Sequence, residues 1–521
     1  MADLDREQQR AELYRGIWNI ANGLRGSVDG WDFKQYVLGM LFYRYISENL
    51  TKYINDGEHA AGDTAFNYAE LSDEDAEGAK EGLVEEKGFF ILPSMLFENV
   101  RKAADKDSTD LNEKLEKVFA YIEGSAVGTE SEDDLSGLFD DMDVNSNKLG
   151  GTVEERNKRL VLLLDGIGDM NLGDYKDSKI DAFGDAYEYL MGMYASNAGK
   201  SGGEFFTPQE VSELLTRIAI GDKKEINKIY DPACGSGSLL LKAGKLIGKE
   251  NVRQGFFGQE INITTYNLCR INMFLHDIGY NKFDIAHGDT LTKPAHWNDE
   301  PFEAIVSNPP YSIHWAGDDD ATLINDPRFS PAGVLAPKSK ADFAFIMHSL
   351  SWLATDGTAA IVCFPGIMYR GGAERKIRRY LIDNNFVDCV IQMPGNLFYG
   401  TSIATCIMVL RKSKADNKVL FIDASKEFIK VTNNNKLTED NIMHIYNWWH
   451  DRKSVPYTCQ LVDAAKIAEE DYNFTVSTYV EQEDTREKID IKVLSQEIHD
   501  IVAREQVLRD EIDKIIAEIE G

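Results

Sequence analysis

The sequence predicts an α/β fold: a doubly wound, mostly parallel sheet, with a helical domain before it and a coiled-coil-like helix after it. Three observations carry this. Between about 166 and 475, short apolar strands recur at 226–230, 256–258, 302–306, 358–364, 386–392 and 405–410, bounded by Gly, Pro or an acid and mostly separated by helical segments. Ahead of them, residues 33–46 place apolar side chains at helical intervals with Gly39 the only breaker, and 154–164 reads as another helix. Behind them, Ile491, Leu494, Ile498, Ile501, Leu508, Ile512, Ile515 and Ile519 step by three and four, interrupted only where Glu505 takes a seam position. The expected boundaries are 1–165 for the helical domain, 166–475 for the sheet domain and 476–521 for the tail. The tail's narrow apolar stripe on a polar helix suits a partner helix better than its own domain.

Composition narrows the classes. The chain has 521 residues, 43% hydrophobic and 10% aromatic, which is the make-up of a folded protein with at least one large core. No apolar run approaches the length of a membrane span, and the first ten residues are charged rather than signal-like, so a soluble, cytoplasmic chain is expected. Six cysteines, at 234, 269, 363, 389, 406 and 459, form no C-x-x-C pair; this argues against a zinc site or a disulfide framework, and no metal is expected. The net charge of −31 is partly concentrated in two acidic stretches, 56–87 and 123–143. They read as solvated loops. Such a chain should grip a polyanion poorly by itself, so nucleic-acid affinity would have to come from a partner.

In an open parallel sheet, ligands bind at the carboxyl ends of the strands. There the first strand runs into Asp231-Pro232-Ala233-Cys234-Gly235-Ser236-Gly237-Ser238, which opens a helix over 239–246. Gly235 and Gly237 allow a tight turn and a close backbone approach to a ligand. No P-loop lysine follows, which disfavours a nucleoside triphosphate. Asp231 can pair with an ammonium group, Glu260 at the end of the next strand can accept both ribose hydroxyls, and Asp289 can accept from an adenine amino group. Each acid alone is more often a cap or a solvated group, but all three at successive strand ends favour a nucleoside site. On these residues a nicotinamide dinucleotide is also possible.

After the strand at 302–306 comes Asn308-Pro309-Pro310-Tyr311. A rigid turn would account for the prolines, but not for an amide before them and an aromatic after them. Methylation of an aromatic amine would use all four. The lone pair of such an amine is delocalised into its ring, and acceptors at both N–H bonds free it. The Asn308 side-chain oxygen and the Pro309 carbonyl are two such acceptors, preset by the prolines, and Tyr311 can stack on the base. A duplex adenine must first be flipped out, at a cost of a few kcal/mol. No general base is required, because the proton leaves after alkylation.

Together, Asp231–Ser238 and Asn308–Tyr311 resemble the cofactor and catalytic motifs of amino-methyltransferases acting on DNA. Gly203-Glu204-Phe205-Phe206-Thr207-Pro208 resembles the family's further cofactor-binding motif. Read physically, Thr207 is an N-cap, Pro208 the first helical residue and Glu210 the closing member of a capping box. With the segment from Leu24-Arg25-Gly26-Ser27 to Tyr45-Ile46-Ser47 and the heptad tail, nearly the whole chain resembles the methylation (M) subunit of type I restriction–modification systems. That resemblance implies a Rossmann-like methyltransferase fold using S-adenosyl-L-methionine, with Glu204, Phe205, Phe206, Thr207, Pro208 and Gln209 helping to enclose the cofactor. It implies methylation of adenine N6 in double-stranded DNA. It also implies three kinds of partner: a specificity (S) subunit that reads the sequence, a second M subunit, and a motor–nuclease (R) subunit for restriction. Arg375, Lys376, Arg378 and Arg379 could touch phosphates or simply form a solvated face. Two other functions use the same features: methylation of a glutamine amide in a protein, and a non-catalytic scaffold with a methyltransferase fold.

Overall fold

The computed structural model describes residues 11–20, 30–172, 186, 189–190, 207–398, 401–431, 434–482 and 491–521. Its front region is built on α1 (Gly30–Ala61), far longer than the 33–46 segment predicted. The apolar residues of α1 from Tyr36 to Leu50 are buried, and from Tyr36 to Tyr43 on every face of the helix, so this stretch runs through a core rather than along its surface. Gly39 is not a breaker but a close approach, since a Cβ there would run into the Met142 sulfur. Polar side chains tie α1 to the loops around it: Tyr36 donates to the Asp143 carbonyl (2.7 Å) and Tyr43 to the Met95 carbonyl (2.6 Å). α2 (Phe97–Lys106), α3 (Leu111–Ser125) and α4 (Val153–Gly168) are among the longer of the other helices in the region. α4 begins with a capping box between Thr152 and Glu155, and its far end is held by Arg44 of α1, which donates to the Ile167 (2.5 Å) and Met170 (2.9 Å) carbonyls.

The position 165 falls near the end of α4, and the front region packs against the sheet. Arg270, buried on α7 (Ile263–Leu275), donates to the carbonyls of Asp133 (2.7 Å) and Ser136 (2.9 Å). Tyr280 donates to the Glu85 carbonyl (2.6 Å), and the front helices share a hydrophobic core with one face of the sheet. By its contacts the chain forms one compact unit, Met1–Val480, and a tail, Glu481–Gly521.

The sheet contains β1 (Ile226–Asp231), β2 (Val252–Glu260), β3 (Phe283–His287), β4 (Phe302–Ser307), β5 (Leu353–Cys363), β6 (Val387–Gln392), β7 (Cys406–Arg411), β8 (Lys418–Asp423) and β11 (Cys459–Asp463); β9 (Ile429–Val431) and β10 (Asn434–Lys436) form a separate hairpin. The order is β11-β8-β6-β7-β5-β4-β1-β2-β3. It is mostly parallel, as predicted, but β7 runs antiparallel to β5 and β6, and β11 antiparallel to β8. Direction was illegible because strands buried on both faces are continuously apolar whichever way they run. The chain winds outward in one direction from β1 through β2 to β3 and in the other from β4 to β5. The switch point therefore lies between β1 and β4, where such folds form their crevice.

Helices cover both faces. In β5, Ala360 and Val362 face the core shared with α5 (Gln209–Ile220), α6 (Ser238–Ile247) and α7, while Ala359, Ile361 and Cys363 face α8 (Asp342–Trp352) and α9 (Gly372–Asp383). That alternation is the period of two of a pleated strand. α10 (Glu439–Asp451) packs on α5. α9 carries the basic cluster, and here the phosphate reading fails for Arg378. Its guanidinium is buried and donates to the Tyr472 and Ile367 carbonyls, both at 2.7 Å. Arg375 pairs with Asp471, and Arg379 with Asp383 at 3.1 Å.

The tail is α11 (Ile491–Glu520), one 30-residue helix with no buried residue. The apolar stripe on it is real: Leu494, Ile498, Ile501, Leu508, Ile512 and Ile515 are all exposed. All six cysteines are buried and unbridged, and among the described residues no helix is long and apolar enough to cross a membrane.

Candidate active site

Four neighbouring parallel strands, in spatial order β4, β1, β2 and β3, deliver four polar residues to the carboxyl edge. Asn308 follows β4 directly, Asp231 ends β1, Glu260 ends β2, and Asp289 lies two residues beyond β3. Asp231 is fully buried. Its Oδ1 accepts from the Ala233 amide at 3.0 Å, and its Oδ2 has no hydrogen-bond partner among the described residues. The Ser307 hydroxyl faces it and favours the charged form, though Ser307 Oγ and Asp231 Oδ2 complete no hydrogen bond of good geometry among the described residues. Burial dominates and pushes the Asp231 carboxyl up to about 7.

The loop after Asp231 uses its two glycines differently. Gly237 has φ +79°, and a Cβ there would meet Cys269 Sγ at 2.8 Å and Met273 Cε at 2.9 Å, both on α7. Gly235, at φ +53°, would meet nothing within 4 Å. One glycine lets a helix pack, and the other leaves open space beside the strand ends. The loop backbone is held by its neighbours. The Thr290 hydroxyl donates to the Pro232 carbonyl (2.6 Å), the Cys234 amide to the Gln259 carbonyl (3.1 Å), and Asn272 Nδ2 to the Ser236 carbonyl (2.8 Å). Ser238 opens α6.

Both remaining acids brace backbone. Glu260 accepts from the Gly235 amide at 3.0 Å and the Asn262 amide at 2.9 Å, and burial raises its carboxyl. Asp289 accepts from the Leu291 amide (3.0 Å) and the Thr292 hydroxyl (2.7 Å). Each carboxylate oxygen has further lone pairs, so a bracing role and a ligand contact are compatible.

Asn308 is clamped at both ends of its amide. Nδ2 donates to the Thr207 hydroxyl oxygen at 3.0 Å, and Oδ1 accepts from the Tyr311 hydroxyl at 2.5 Å. Thr207 therefore does not cap a helix as the sequence suggested. α5 starts at Gln209 with Pro208 as its N-cap and no side-chain cap, because the hydroxyl is turned to Asn308. Gln209 has its whole amide buried without a partner among the described residues. Pro309 is buried, and the half-buried Tyr311 ring lies 6.5 Å from that of Phe364. Glu204, Phe205, Phe206 and the segment from Leu24 to Ser27 lie outside the described residues.

Sequence reasoning missed two supports. Asp342, the first residue of α8, accepts from the Ser312 amide at 3.1 Å, fixing the chain just past Tyr311 where Ser312 takes φ +51°. An acid opening an apolar helix reads as an ordinary cap, so nothing singled it out. Arg328 is buried and donates to the Thr290 and Leu291 carbonyls, both at 2.8 Å, which holds the turn carrying Asp289. It also donates to Asp326 (2.7 Å) and to His348 Nδ1 (3.1 Å), leaving Nε2 of His348 to face the Tyr230 hydroxyl at 2.9 Å. Burial, followed by the Arg328 charge, drives the His348 imidazole well below its usual range and keeps it neutral. A buried arginine in a loop has no periodic signature.

Comparison with known proteins identifies the family. The model of the N-6 DNA Methylase family matches residues 178–488, and that of the HsdM N-terminal domain matches 13–167. The methylase subunit of type I restriction enzyme MpnII from Mycoplasma pneumoniae is 50% identical over 99% of this chain and 97% of its own length. The MjaVII methylase subunit of Methanocaldococcus jannaschii is 31% identical over 67% of this chain and 61% of its own. Among solved structures, the type I restriction–modification methyltransferase subunit from Streptococcus thermophilus superposes with a TM-score of 0.81 at 34% identity, covering 91% of this chain and 100% of that one. The chain therefore belongs to the N-6 DNA methylase family, among the methylase subunits of type I restriction–modification enzymes.

Proposed function

We propose that this chain transfers a methyl group from S-adenosyl-L-methionine to the N6 of adenine in double-stranded DNA, as the modification subunit of a type I restriction–modification complex. The observation that carries the reading is the two-ended clamp on Asn308 at the end of β4, beside Asp231 at the switch point. With Nδ2 engaged by Thr207, the Asn308 oxygen keeps one orientation, and its second lone pair is left for a substrate N–H. Pro309 supplies the second acceptor through its carbonyl, and Pro310 stiffens the turn. The two acceptors draw the amino N–H bonds out of the ring plane and leave the nitrogen lone pair free to react. Because they are fixed in advance, they need not reorganise during the reaction. Tyr311 offers a ring on which the flipped base stacks, recovering about 1–3 kcal/mol of the unstacking cost.

The cofactor fits the residues present. Among the described residues a buried carboxylate oxygen on Asp231 and the Gln209 amide are without partners, and a side chain at Gly235 would fill open space. In this reading Asp231 holds the amino-acid ammonium, while the backbone of Pro232, Ala233, Gly235, Ser236, Gly237 and Ser238 lines the cofactor. Glu260 accepts from the ribose hydroxyls, Asp289 from the adenine amine, and Glu204 to Gln209 enclose it. Bound there, S-adenosyl-L-methionine would supply a methyl group activated by a positively charged sulfur.

A net charge of −31 leaves little intrinsic attraction for DNA, and α11 exposes a heptad seam. Both support docking to a specificity subunit that reads the sequence, with a second M subunit and a motor–nuclease subunit completing the assembly. The test is co-expression with the specificity subunit, mapping N6-methyladenine in host DNA, for the natural chain and Asn308→Ala. A two-part motif methylated only with both subunits present, and lost in Asn308→Ala while the complex still forms, is the expected result. Methyl label confined to protein, or full DNA methylation by Asn308→Ala, overturns the reading.

A further inference from the structure

Between β3 and β4, against the sheet face that carries Tyr230 and Phe257, one histidine and two aspartates converge. His296 lies in the loop between β3 and β4 and is 1% exposed, with Phe257 and Tyr230 packed edge-on against its ring. Its Nε2 faces the Gly258 carbonyl at 2.8 Å, an acceptor only, so that nitrogen carries the proton. Nδ1 points at two carboxylates: Asp299 Oδ2 at 3.4 Å, just before β4, and Asp284 Oδ2 at 3.6 Å, on β3. The three ligand atoms lie within 4.8 Å of one another.

The distances distinguish two explanations. If His296 were an imidazolium paired with these acids, charge-assisted hydrogen bonds would draw the atoms to about 2.7–2.9 Å. The observed separations are longer than that, with only the Asp299 contact at 3.4 Å within hydrogen-bond reach. Around a tetrahedral zinc with bonds of about 2.0–2.2 Å, neighbouring ligand atoms sit about 3.4 Å apart. Octahedral magnesium, at about 2.0–2.1 Å, would bring them to about 3 Å. The Nε2–H bond to a backbone carbonyl is also the arrangement that leaves Nδ1 as a fixed metal ligand. Neither carboxylate makes an ion pair with a lysine or arginine among the described residues; Lys228 gives its ammonium to the Asp299 carbonyl instead.

We infer that His296 Nδ1, Asp284 and Asp299 form a binding site for one tetrahedral divalent transition-metal ion, of the zinc class, with its fourth position open to water. The ion would clasp the start of β3 to the segment that enters β4, and so hold the 288–301 loop whose other end carries Asp289. The site stands outside the methyl-transfer chemistry proposed above and does not depend on it.

The test uses the full chain, dialysed against a chelator and titrated with zinc and with cobalt(II). One ion per chain, a raised melting temperature, and the strong visible absorption of tetrahedral cobalt are expected. Asp284→Asn and Asp299→Asn, both at the surface, should each weaken zinc binding by about tenfold or more while the metal-free melting temperature stays put. No saturable zinc binding, or binding unchanged in both variants, overturns the inference. So does a nitrogen NMR spectrum showing His296 protonated at both ring nitrogens in the presence of zinc.

Discussion

Replacing Thr207 with Val isolates the hydrogen bond on which the proposed chemistry depends most. The two side chains have nearly the same volume, and Thr207 is 6% exposed, so the substitution removes a hydroxyl and little else. That hydroxyl accepts from Asn308 Nδ2 at 3.0 Å and sets which end of the amide faces the substrate. A buried donor left without a partner costs about 1–3 kcal/mol, and because Asn308 is only half buried the lower part, about 1–2 kcal/mol, applies. At about 1.4 kcal/mol per decade, methyl transfer should slow by about 5- to 30-fold. The assay is single-turnover transfer of tritiated methyl to a duplex target by the full complex, with cofactor saturating. The rate should fall in that range in Thr207→Val with the melting temperature nearly unchanged, and Thr207→Ser should restore it. A rate within about twofold of the parent would show that Asn308 does not take its orientation from this bond, and the reasoning would fail.

Tyr311→Phe keeps the ring and removes the hydroxyl that occupies Asn308 Oδ1 at 2.5 Å, so turnover should stay within about threefold. Tyr311→Ala loses the stacking, roughly 5- to 150-fold in rate; the reverse ranking would refute the stacking role. Burial holds the Asp231 carboxyl near 7, above its unfolded value, so its contribution to stability is present below about pH 3.9 and is lost as pH rises through 7. Cofactor binding needs the carboxylate and an ammonium whose free pKa is about 7.7–8.0, so calorimetric affinity should peak between about pH 7 and 8; Asp231→Asn should flatten the acid side. An affinity independent of pH from 5.5 to 7 in the parent would remove Asp231 from the ammonium site. Ile501→Asp with Ile512→Asp, both exposed on α11, should abolish co-purification with the specificity subunit without shifting the melting of the main unit. Intact co-purification would show that the seam docks elsewhere.

Much of the architecture was legible because it rests on local chemistry. Apolar period, strand-end acids and the Asp231–Ser238 and Asn308–Tyr311 segments identify a doubly wound sheet and put the polar residues at its carboxyl edge. The heptad stripe of α11 needed nothing beyond residue spacing, and it stands exposed as read. Other features depend on contacts between residues far apart in the chain. Strand direction in β7 and β11, the union of the front helices with the sheet through Arg270, and the burial of Arg378 leave no local mark. Thr207 is the sharpest case. Locally, a threonine before a proline and a helix is an N-cap. In the fold its hydroxyl meets Asn308, 101 residues away, and serves as that side chain's acceptor. Sequence by itself determined which groups stand at which strand ends, because that follows from period and turn chemistry. Only the tertiary structure decided which way each group turns, because a hydroxyl or amide takes the partner that folding brings within about 3 Å.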